Sequence, residues 1–453
     1  MATRLGGAFL FGCTLSSLVL AADDKLTLRE QSRPGDTAVV TLEYKANGEL
    51  QASQRDKKSL LHKMTARARI VFEEKTLPAG ETPKSSPRRA LRYYTQSAVE
   101  SSLDDKRSVA DLRQSVRLIV CELRDGKPFL FSPSGPLTSE EFSLLEADAA
   151  LDTLVLGDLL PTEPVAVGDK WTPSDLAVAA VFNLSAVTTN AIEAKLEKAD
   201  AAIARVTLSG KLTGTASGAT TQQSVAGHFV FDRQQAKITD VELTITEERG
   251  PSPIAWGLNA QAGFTLRRKF NEPIKRLNDE ALAKLPTEPN EVTAQLVYVQ
   301  PDGQFRFYLP RAWHVGDSSP RSAVMTMLDG GEFISECHVL AAPTVAAGTH
   351  MAADEFRNQV ERALGNQFQR FLQEGEVPAP KGYFIYRLAV AGVSGGKPTV
   401  WYYHLAAGPQ GHQLVFIFRL DPDQIDRFGA LDVAMVSSIE FEPPRTVSNK
   451  KDQ

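Results

Sequence analysis

Three cysteines in 453 residues are too few for a disulfide framework. Cys13 lies in an N-terminal apolar stretch. Cys121 sits in a strand-like run over 118–123, and Cys337 in another over 333–337. These two belong to different predicted regions, and a disulfide needs Cα atoms within about 7 Å. Both therefore read as buried thiols acting as small hydrophobes. Beyond residue 20 no apolar run reaches the ~20 residues of a spanning helix, so the mature chain should carry no transmembrane helix. Positive charge is not in excess either. Lys and Arg number 50 against 55 Asp and Glu, a formal net charge of −5. Nucleic acid is not an expected partner, because binding a polyanion usually needs a basic footprint. The basic runs Arg88-Arg89 and Arg267-Arg268-Lys269 are short and read as solvated strand ends. There is no phosphate loop: Gly396-Lys397 is followed by Pro398, where a Walker loop needs Ser or Thr.

What is present begins with an export signal. Arg4 is its basic end, residues 5–20 are apolar, and Val19-Leu20-Ala21 closes on a small residue before Ala22-Asp23-Asp24-Lys25. That pattern predicts cleavage after Ala21 or Ala22 and a periplasmic or secreted protein. Lipid attachment at Cys13 is the other reading. The short apolar segment before it and the apolar residues continuing to Leu20 oppose that.

Residues 23–270 read as β-rich. A strand over 37–44 is followed by Asn47-Gly48. Over 60–72, Leu60, Met64, Ala66, Ala68, Ile70 and Phe72 recur at period two, with Lys63, Arg67 and Arg69 on the other side. Such alternation predicts an antiparallel sheet with one wet face. Strands follow near 90–99 and 109–123, and Asp125-Gly126 turns the chain into 128–131. Thr138 and Glu141 form a capping box opening a helix that runs to Gly157 or Pro161, with Phe142, Leu145 and Ala149 on one face. Thr172, Pro173 and Asp175 start a second helix, with Pro at its permitted first position. Alternation resumes over 187–246, through Ala204, Val206 and Leu208, then Val225, Phe229 and Phe231, then Val241, Leu243 and Ile245, with a turn at 232–235. The expectation is an α+β chain whose N-terminal part is a large curved antiparallel sheet or half-barrel with few helices. Residues 271–292, charged and carrying Pro273, Pro286 and Pro289, read as a linker with a helical turn at 279–284.

Residues 293–443 form the second region. It opens on QLVYVQPDGQFRFYLPRAWHV, a hairpin across Pro301-Asp302-Gly303 with Phe305, Phe307 and Leu309 on its buried face. Pro310 ends the pairing and Trp313 follows in a short turn. A second hairpin, 323–328 with 333–340, crosses Asp329-Gly330-Gly331. An amphipathic helix is predicted over 354–374, with Phe356, Val360, Leu364, Phe368, Phe371 and Leu372 at three/four spacing. Strands over 383–391, 399–406 and 413–420 follow. A last helix takes Asp421 as cap, Pro422 at its first position and Gln424 closing a box, with Ile425, Phe428, Leu431 and Val436 as its apolar side. A strand over 438–441 precedes a disordered tail, 444–453.

The order of elements over 293–443, with Tyr308, Pro310 and Trp313 at its start and VSSIEFEPP at its end, resembles the PsbP-like superfamily. That group includes a photosystem-associated lumenal protein, Ran-binding proteins and envelope lipoproteins of the DcrB and LpqN type. The resemblance implies an α/β/α sandwich with an antiparallel sheet, a non-enzymatic role and a protein partner. It carries no site residue over. The N-terminal region is similar to uncharacterised secreted bacterial proteins that share Leu159-Leu160-Pro161 and Val167-Gly168-Asp169-Lys170-Trp171. It also resembles the open half-barrels of lipoprotein carriers.

The chemistry-bearing motifs all have plainer readings. Gly392-Val393-Ser394-Gly395-Gly396 matches G-x-S-x-G, but the nucleophile elbow needs strand–turn–helix and a strand follows here. His314, His338, His350, His404 and His412 lack metal-ligand spacing. Trp401, Tyr402, Tyr403 and His404 alternate faces on one strand and read as core if helices cover both sides. Glu73-Glu74, Glu140-Glu141 and Glu247-Glu248 are sequence neighbours, so they make no two-carboxylate site. The expectation is an exported, non-enzymatic envelope protein with no catalytic residue, metal or cofactor, docking on a protein partner. The alternative is a carrier holding a lipid or other apolar ligand in the N-terminal sheet, where Gly210, Gly214 and Gly227 leave room. A helix-filled concavity would sink it. A hydrolase using Ser394 or the histidines is the third reading.

Overall fold

The computed structural model describes residues 25–52, 60–80, 88–124, 127–148, 151–278 and 285–441. The export signal at 1–22, Cys13, the Asp125-Gly126 turn, the helical turn at 279–284 and the tail at 444–453 lie outside the described residues.

Period-two alternation builds most of the first region. Its elements are β1 (Thr37–Ala52), β2 (Leu60–Thr76), β3 (Arg89–Gln96), β4 (Val99–Leu103), β5 (Lys106–Ala110), β6 (Leu118–Arg124), β7 (Lys127–Phe131), β8 (Leu137–Thr138), α1 (Ser139–Asp148), β9 (Lys170–Trp171) and α2 (Asp175–Val181). Then come β10 (Ala186–Asn190), β11 (Glu193–Ala199), β12 (Ile203–Ala216), β13 (Ala219–Asp232), β14 (Lys237–Arg249) and β15 (Gly257–Phe270). All but β8 join one large antiparallel sheet, in the order β7-β6-β3-β2-β1-β15-β14-β13-β12-β11-β9. β4 pairs with β2 and β5, and β10 with β12. The two ends of this path do not meet, so the sheet is open and not a closed barrel. One face buries Val40, Leu42, Ile70, Phe72, Phe229 and Val241. The other is wet, and there Arg67 pairs with Glu100 at 2.5 Å and Arg69 with Glu43 at 2.9 Å.

Several local expectations change. β1 runs straight through Asn47-Gly48. A Cβ on Gly48 would lie 2.2 Å from the Asn259 carbonyl oxygen of β15, so the glycine serves close strand approach and not a turn. The strand expected over 109–123 is broken. A β4–β5 hairpin turns at Asp104, with φ of 47°, and Asp111 then takes hydrogen bonds from Leu112 N, Arg117 Nη2 and Ser97 Oγ. Those local bonds compete with the ladder. The capping box does form: Glu141 N–H donates to Thr138 Oγ1 at 3.2 Å, and Thr138 N–H to Glu141 Oε2 at 2.9 Å. α1 is described over Ser139–Asp148 and the chain is no longer helical at Leu151, well short of Gly157, with a 3-10 turn at Leu156–Leu159 beyond it. α2 is capped by Ser174, whose Oγ accepts from Ala177 N, so Pro173 lies outside the helix. The basic runs are not solvated throughout. Alternation turns Arg89 and Arg268 inward, 2% and 6% exposed, where they meet Glu122 and Glu30. Arg88 keeps solvent contact and pairs with Asp158. Between the two regions, Leu277 is buried and Glu73 accepts from the backbone N–H groups of Lys275 and Arg276.

The second region contains β16 (Leu296–Val299), β17 (Phe305–Leu309), β18 (Trp313–Ser318), β19 (Ser322–Asp329), β20 (Glu332–Ala342), α3 (Ala353–Leu364), β21 (Phe368–Glu376), β22 (Phe384–Ser394), β23 (Lys397–Ala407), β24 (Gln413–Leu420), α4 (Ile425–Phe428), α5 (Leu431–Ser437) and β25 (Glu440–Phe441). Seven strands form an antiparallel sheet, β18-β19-β20-β24-β23-β22-β21. A small sheet, β25-β17-β16-β8, takes its last strand from the first region, with Leu137 in parallel register to Leu296. α3 covers one face of the larger sheet, setting Phe356, Val360 and Leu364 on Trp401, Tyr403 and Leu405. Phe428 of α4 packs on Tyr402, Phe418 and Trp313 at the other. One continuous buried cluster runs from Val40 and Phe229 to Phe307 and Phe416.

Three expectations fail here. The helix over 354–374 ends at Leu364, Gly365 follows at φ 50°, and 368–376 is an edge strand. Two register shifts in β21, at Phe368/Arg370 and Phe371/Gln373, bring residues three apart onto one side, which imitates helical spacing. The last helix is split by Gly429, with φ of 59°, and Asp421 makes no side-chain cap bond, so no second box forms. Trp313 begins a strand, the turn having closed before it through Trp313 N–H to Pro310 O at 3.1 Å.

Candidate functional site

The motif residues do not converge. Ser394 lies at a hairpin tip opposite Lys397, across Gly395 and Gly396 at φ 59° and 79°. No base is hydrogen-bonded to it among the described residues. His338 meets Glu336 at 2.7 Å, His350 stacks on Phe384, and His412 stacks on Phe441. No group of three metal-ligating side chains occurs among the described residues. Trp401, Tyr402, Tyr403 and His404 are all buried, with apolar groups covering both faces.

His404 is part of a buried network in which His404 Nδ1 and Asp432 Oδ1 have no partner among the described residues. Its Nε2 donates to Asp432 Oδ2 at 2.9 Å, and Arg387 Nε reaches the same oxygen at 2.6 Å. Burial pushes the imidazole below its ordinary value despite Asp432 beside it, so it is neutral. Burial also pushes the Asp432 carboxyl up, but the His404 hydrogen bond and the Arg387 charge outweigh that and hold it below the usual range. Both residues are fully buried, so nothing from solvent reaches them.

The described residues also form several concavities. A depression of about 780 Å³ lies on the wet face of the large sheet, and its arginines are taken up by Glu43 and Glu100. A cleft of about 530 Å³ lies where α1, Tyr44 of β1, Val99 and Ala110 meet β18. Phe142, Leu144, Ile254 and Val315 also wall it. Its polar groups include Ser139, Glu140, Ser143, Glu146, Arg311, Trp313, His314 and Ser318. The Arg311 guanidinium lies 4.4 Å from the Phe129 ring centre and 4.9 Å from that of Phe142. Its Nε donates to Ala294 O at 2.8 Å. That fixes the plane of the fork. Arg311 Nη1, Trp313 Nε1 and Ser139 Oγ are buried and have no partner among the described residues. A buried donor left unpaired costs about 1–3 kcal/mol, and these three atoms are sealed from the solvent that enters the cleft.

Electrostatics agree with a partly dehydrated cleft. Burial pushes the Glu146 carboxyl up to about 7, against the pull of Arg311. Glu146 keeps solvent contact, so water at the rim offsets part of that push. Burial lowers Arg311 to about 10, against Glu146. The His314 imidazole is pushed down by burial as well.

Reading the sequence located Trp313 as a landmark and set His314 aside as lacking metal-ligand spacing, but did not show this cleft. Arg311, Ser139 and Glu146 come together only because β8 crosses to β16 and brings α1 with it. The one local signal was a lone cation in an aromatic stretch, between Pro310 and Trp313. The three glycines expected to leave room do the opposite. A Cβ on Gly210, Gly214 or Gly227 would lie 2.0, 2.1 or 2.0 Å from a neighbouring carbonyl oxygen. At each of them the neighbouring backbone takes the space that a Cβ would fill. The apolar side of the large sheet is filled by Leu145 of α1, Val178 and Val181 of α2, and Leu156 and Leu159.

No family model matches the chain, and no curated protein matches it. Among solved structures, about a third of the chain is similar to cyanobacterial PsbP from Synechocystis sp. PCC 6803, at 16% identity, covering 33% of this chain and 94% of that one, TM-score 0.27. The Saccharomyces cerevisiae Ran-binding protein Mog1p gives 14% identity, 32% and 95% coverage and a TM-score of 0.26. A structure of lipovitellin gives 8% identity over 58% of this chain and 27% of that one, TM-score 0.32. The chain spans about half, 48%, of a Bacteroides thetaiotaomicron VPI-5482 protein. No residue role is carried over from these likenesses.

Proposed function

We propose that the protein is a non-enzymatic binding protein acting outside the cytoplasm, and that it holds a small amphipathic molecule in the cleft between α1 and β18. The observation carrying this reading is the cleft itself, walled by Phe142, Leu144, Ile254 and Val315 and lined by Arg311. Its volume falls within the roughly 300–1,000 Å³ of small-molecule sites. The export pattern of residues 1–22 supports the location. In this reading residues 23–270 are an open half-barrel plugged by its own helices, 271–292 a docked connector, and 293–443 a PsbP-like sandwich. The carrier reading is kept, with its site moved from the sheet's glycines to the cleft.

A second reading, docking on a protein partner, has its own support. β21 is a nine-residue edge strand, mostly exposed, with Leu372 48% exposed. Such an edge can accept an extended segment of another chain. Native mass spectrometry of the mature chain, purified gently from an exporting cell, separates the two. A small added mass, lost when Ala110→Trp fills the cleft, is the expected result. A bare monomer would overturn the ligand reading, and a stoichiometric protein complex would put docking first. The measured N-terminus should be Ala22 or Asp23; an intact Met1 would sink the location.

A further inference from the structure

Both ends of the seven-stranded sheet are open among the described residues, and they differ. β21 carries two bulges and exposed Arg370, Glu374 and Glu376, features that blunt an edge against further strands. β18 has no lysine or proline, and its one irregularity falls past Val315. Leu328 N–H donates to Ala312 O at 3.0 Å, so Ala312 aims its backbone at β19. In an antiparallel pair that aim alternates along the strand. His314 therefore also turns to β19, while Trp313 and Val315 turn outward. Pro310 O takes the Trp313 N–H at 3.1 Å. The Trp313 carbonyl and both backbone groups of Val315 are left, with no strand beside them among the described residues.

What lies beside them is the cleft between α1 and β18. Side chains on a strand alternate between faces, so a cavity over one face touches every second residue. This one is lined by Trp313, His314, Val315 and Gly316 in succession, which sets the edge of the strand along it. Val99 and Ala110, a paired row of β4 and β5, also line it, and Tyr44, Phe142 and Ile254 add apolar surface. Backbone donors and acceptors beside apolar walls match an extended peptide, whose alternate amides pair with the edge while its side chains meet the walls. An alkyl chain would cover the walls but take the Val315 N–H and C=O out of water unpaired, which is costly. The outward groups end at the bulge, so the edge suits a short segment and not a long strand.

We infer that the cleft takes a short free peptide, extended and added to the sheet as a strand beside β18, its amides on Val315 and its apolar side chains against Phe142 and Ile254. This rests on the ligand-holding reading above and specifies the ligand as a peptide.

The test uses the full mature chain and four probes. They are a blocked pentapeptide of alternating valine and threonine, two copies of it N-methylated at one or the other set of alternate amides, and decan-1-ol. Binding is followed by calorimetry. Only one set of amides can face β18. One methylated copy should therefore lose about ten-fold or more in affinity, and the other should stay within about three-fold. Val315→Pro removes the outward N–H and leaves the ladder to β19 intact. It should lose about ten-fold or more, where Val315→Ala, which keeps the N–H, loses less. The adduct carried by the natural chain should fragment into amino-acid residue masses. Equal affinity for all three peptides, an adduct without amino-acid masses, or binding of decan-1-ol alone would overturn the strand addition and leave the ligand-holding reading standing. Failure of all four probes on a folded chain would overturn both. Should Val315→Pro not fold, the two methylated peptides decide the matter on the unaltered protein.

Discussion

Arg92 shows what alternation does with a charge that lands on the core side. Its Nε meets Glu74 Oε2 at 2.9 Å, and its two terminal nitrogens meet the Asp152 oxygens at 2.8 Å each. Thr153 Oγ1 closes the set at 2.8 Å. Replacing it by Met would strand two buried carboxylates, and Arg92→Met should cost about 3–5 kcal/mol in urea unfolding. A loss under 1 kcal/mol would mean that water relieves them. His404 carries a pH prediction. Its folded value lies below the ordinary 6.5 or so, so the unfolded chain takes up the proton first as pH falls. The stability it contributes is complete above about 6.5 and drains away below that. Asp432, also held low, loses its share only in the carboxylate range, below about 4. Melting temperature should therefore fall between pH 7 and pH 5.5 in the natural chain and less steeply in His404→Gln. Parallel slopes would show that other groups govern this window. The thiols of Cys121 and Cys337 are buried and pushed up by that burial. Neither should react with maleimide until the chain unfolds.

Among the elements, the chain's own grammar was legible where a signal was both local and complete. Thr138 and Glu141 satisfied each other as written, and Thr138→Ala should cost about 1 kcal/mol in thermal or urea melts. The alternation over 60–72 and 225–231 gave true strands, because one side of each is buried whatever the strand order. Legibility failed where a tertiary partner set the outcome. Asn47-Gly48 has the letters of a turn, yet β15 lies so close that only glycine fits between them. Gly48→Ala should destabilise by about 2 kcal/mol or more, measured against Gly263→Ala on the same sheet. A Cβ at Gly263 meets nothing within 4 Å, so that change should be near neutral. β21 was hidden for a different reason. Its two bulges shift the period from two toward three, and no sequence pattern distinguishes that from a helix end.

For the molecule as a whole, the sequence divided the chain at a charged, proline-bearing stretch, and the buried cluster runs straight across that division. The candidate cleft was illegible for the same reason: its walls come from Tyr44, α1, Arg311 and β18, and only their assembly makes an enclosure. Residues 293–441 made alone would lack β8 and the apolar side of α1. Such a fragment should bind a hydrophobic dye and unfold at lower denaturant than the full chain. A fragment as stable as the whole, and silent to the dye, would show that the second region is independent.

The parallel pairing of β8 with β16 sets a timetable. A chain leaving the ribosome, or threading out of the cell, presents β8 and α1 long before β16 exists, and the small sheet is not complete until Glu440 and Phe441 add β25. Contacts of such long sequence separation are slow to form. The cleft is therefore among the last parts of the protein to come into being, so anything bound there would be met by a finished molecule, not trapped during its birth.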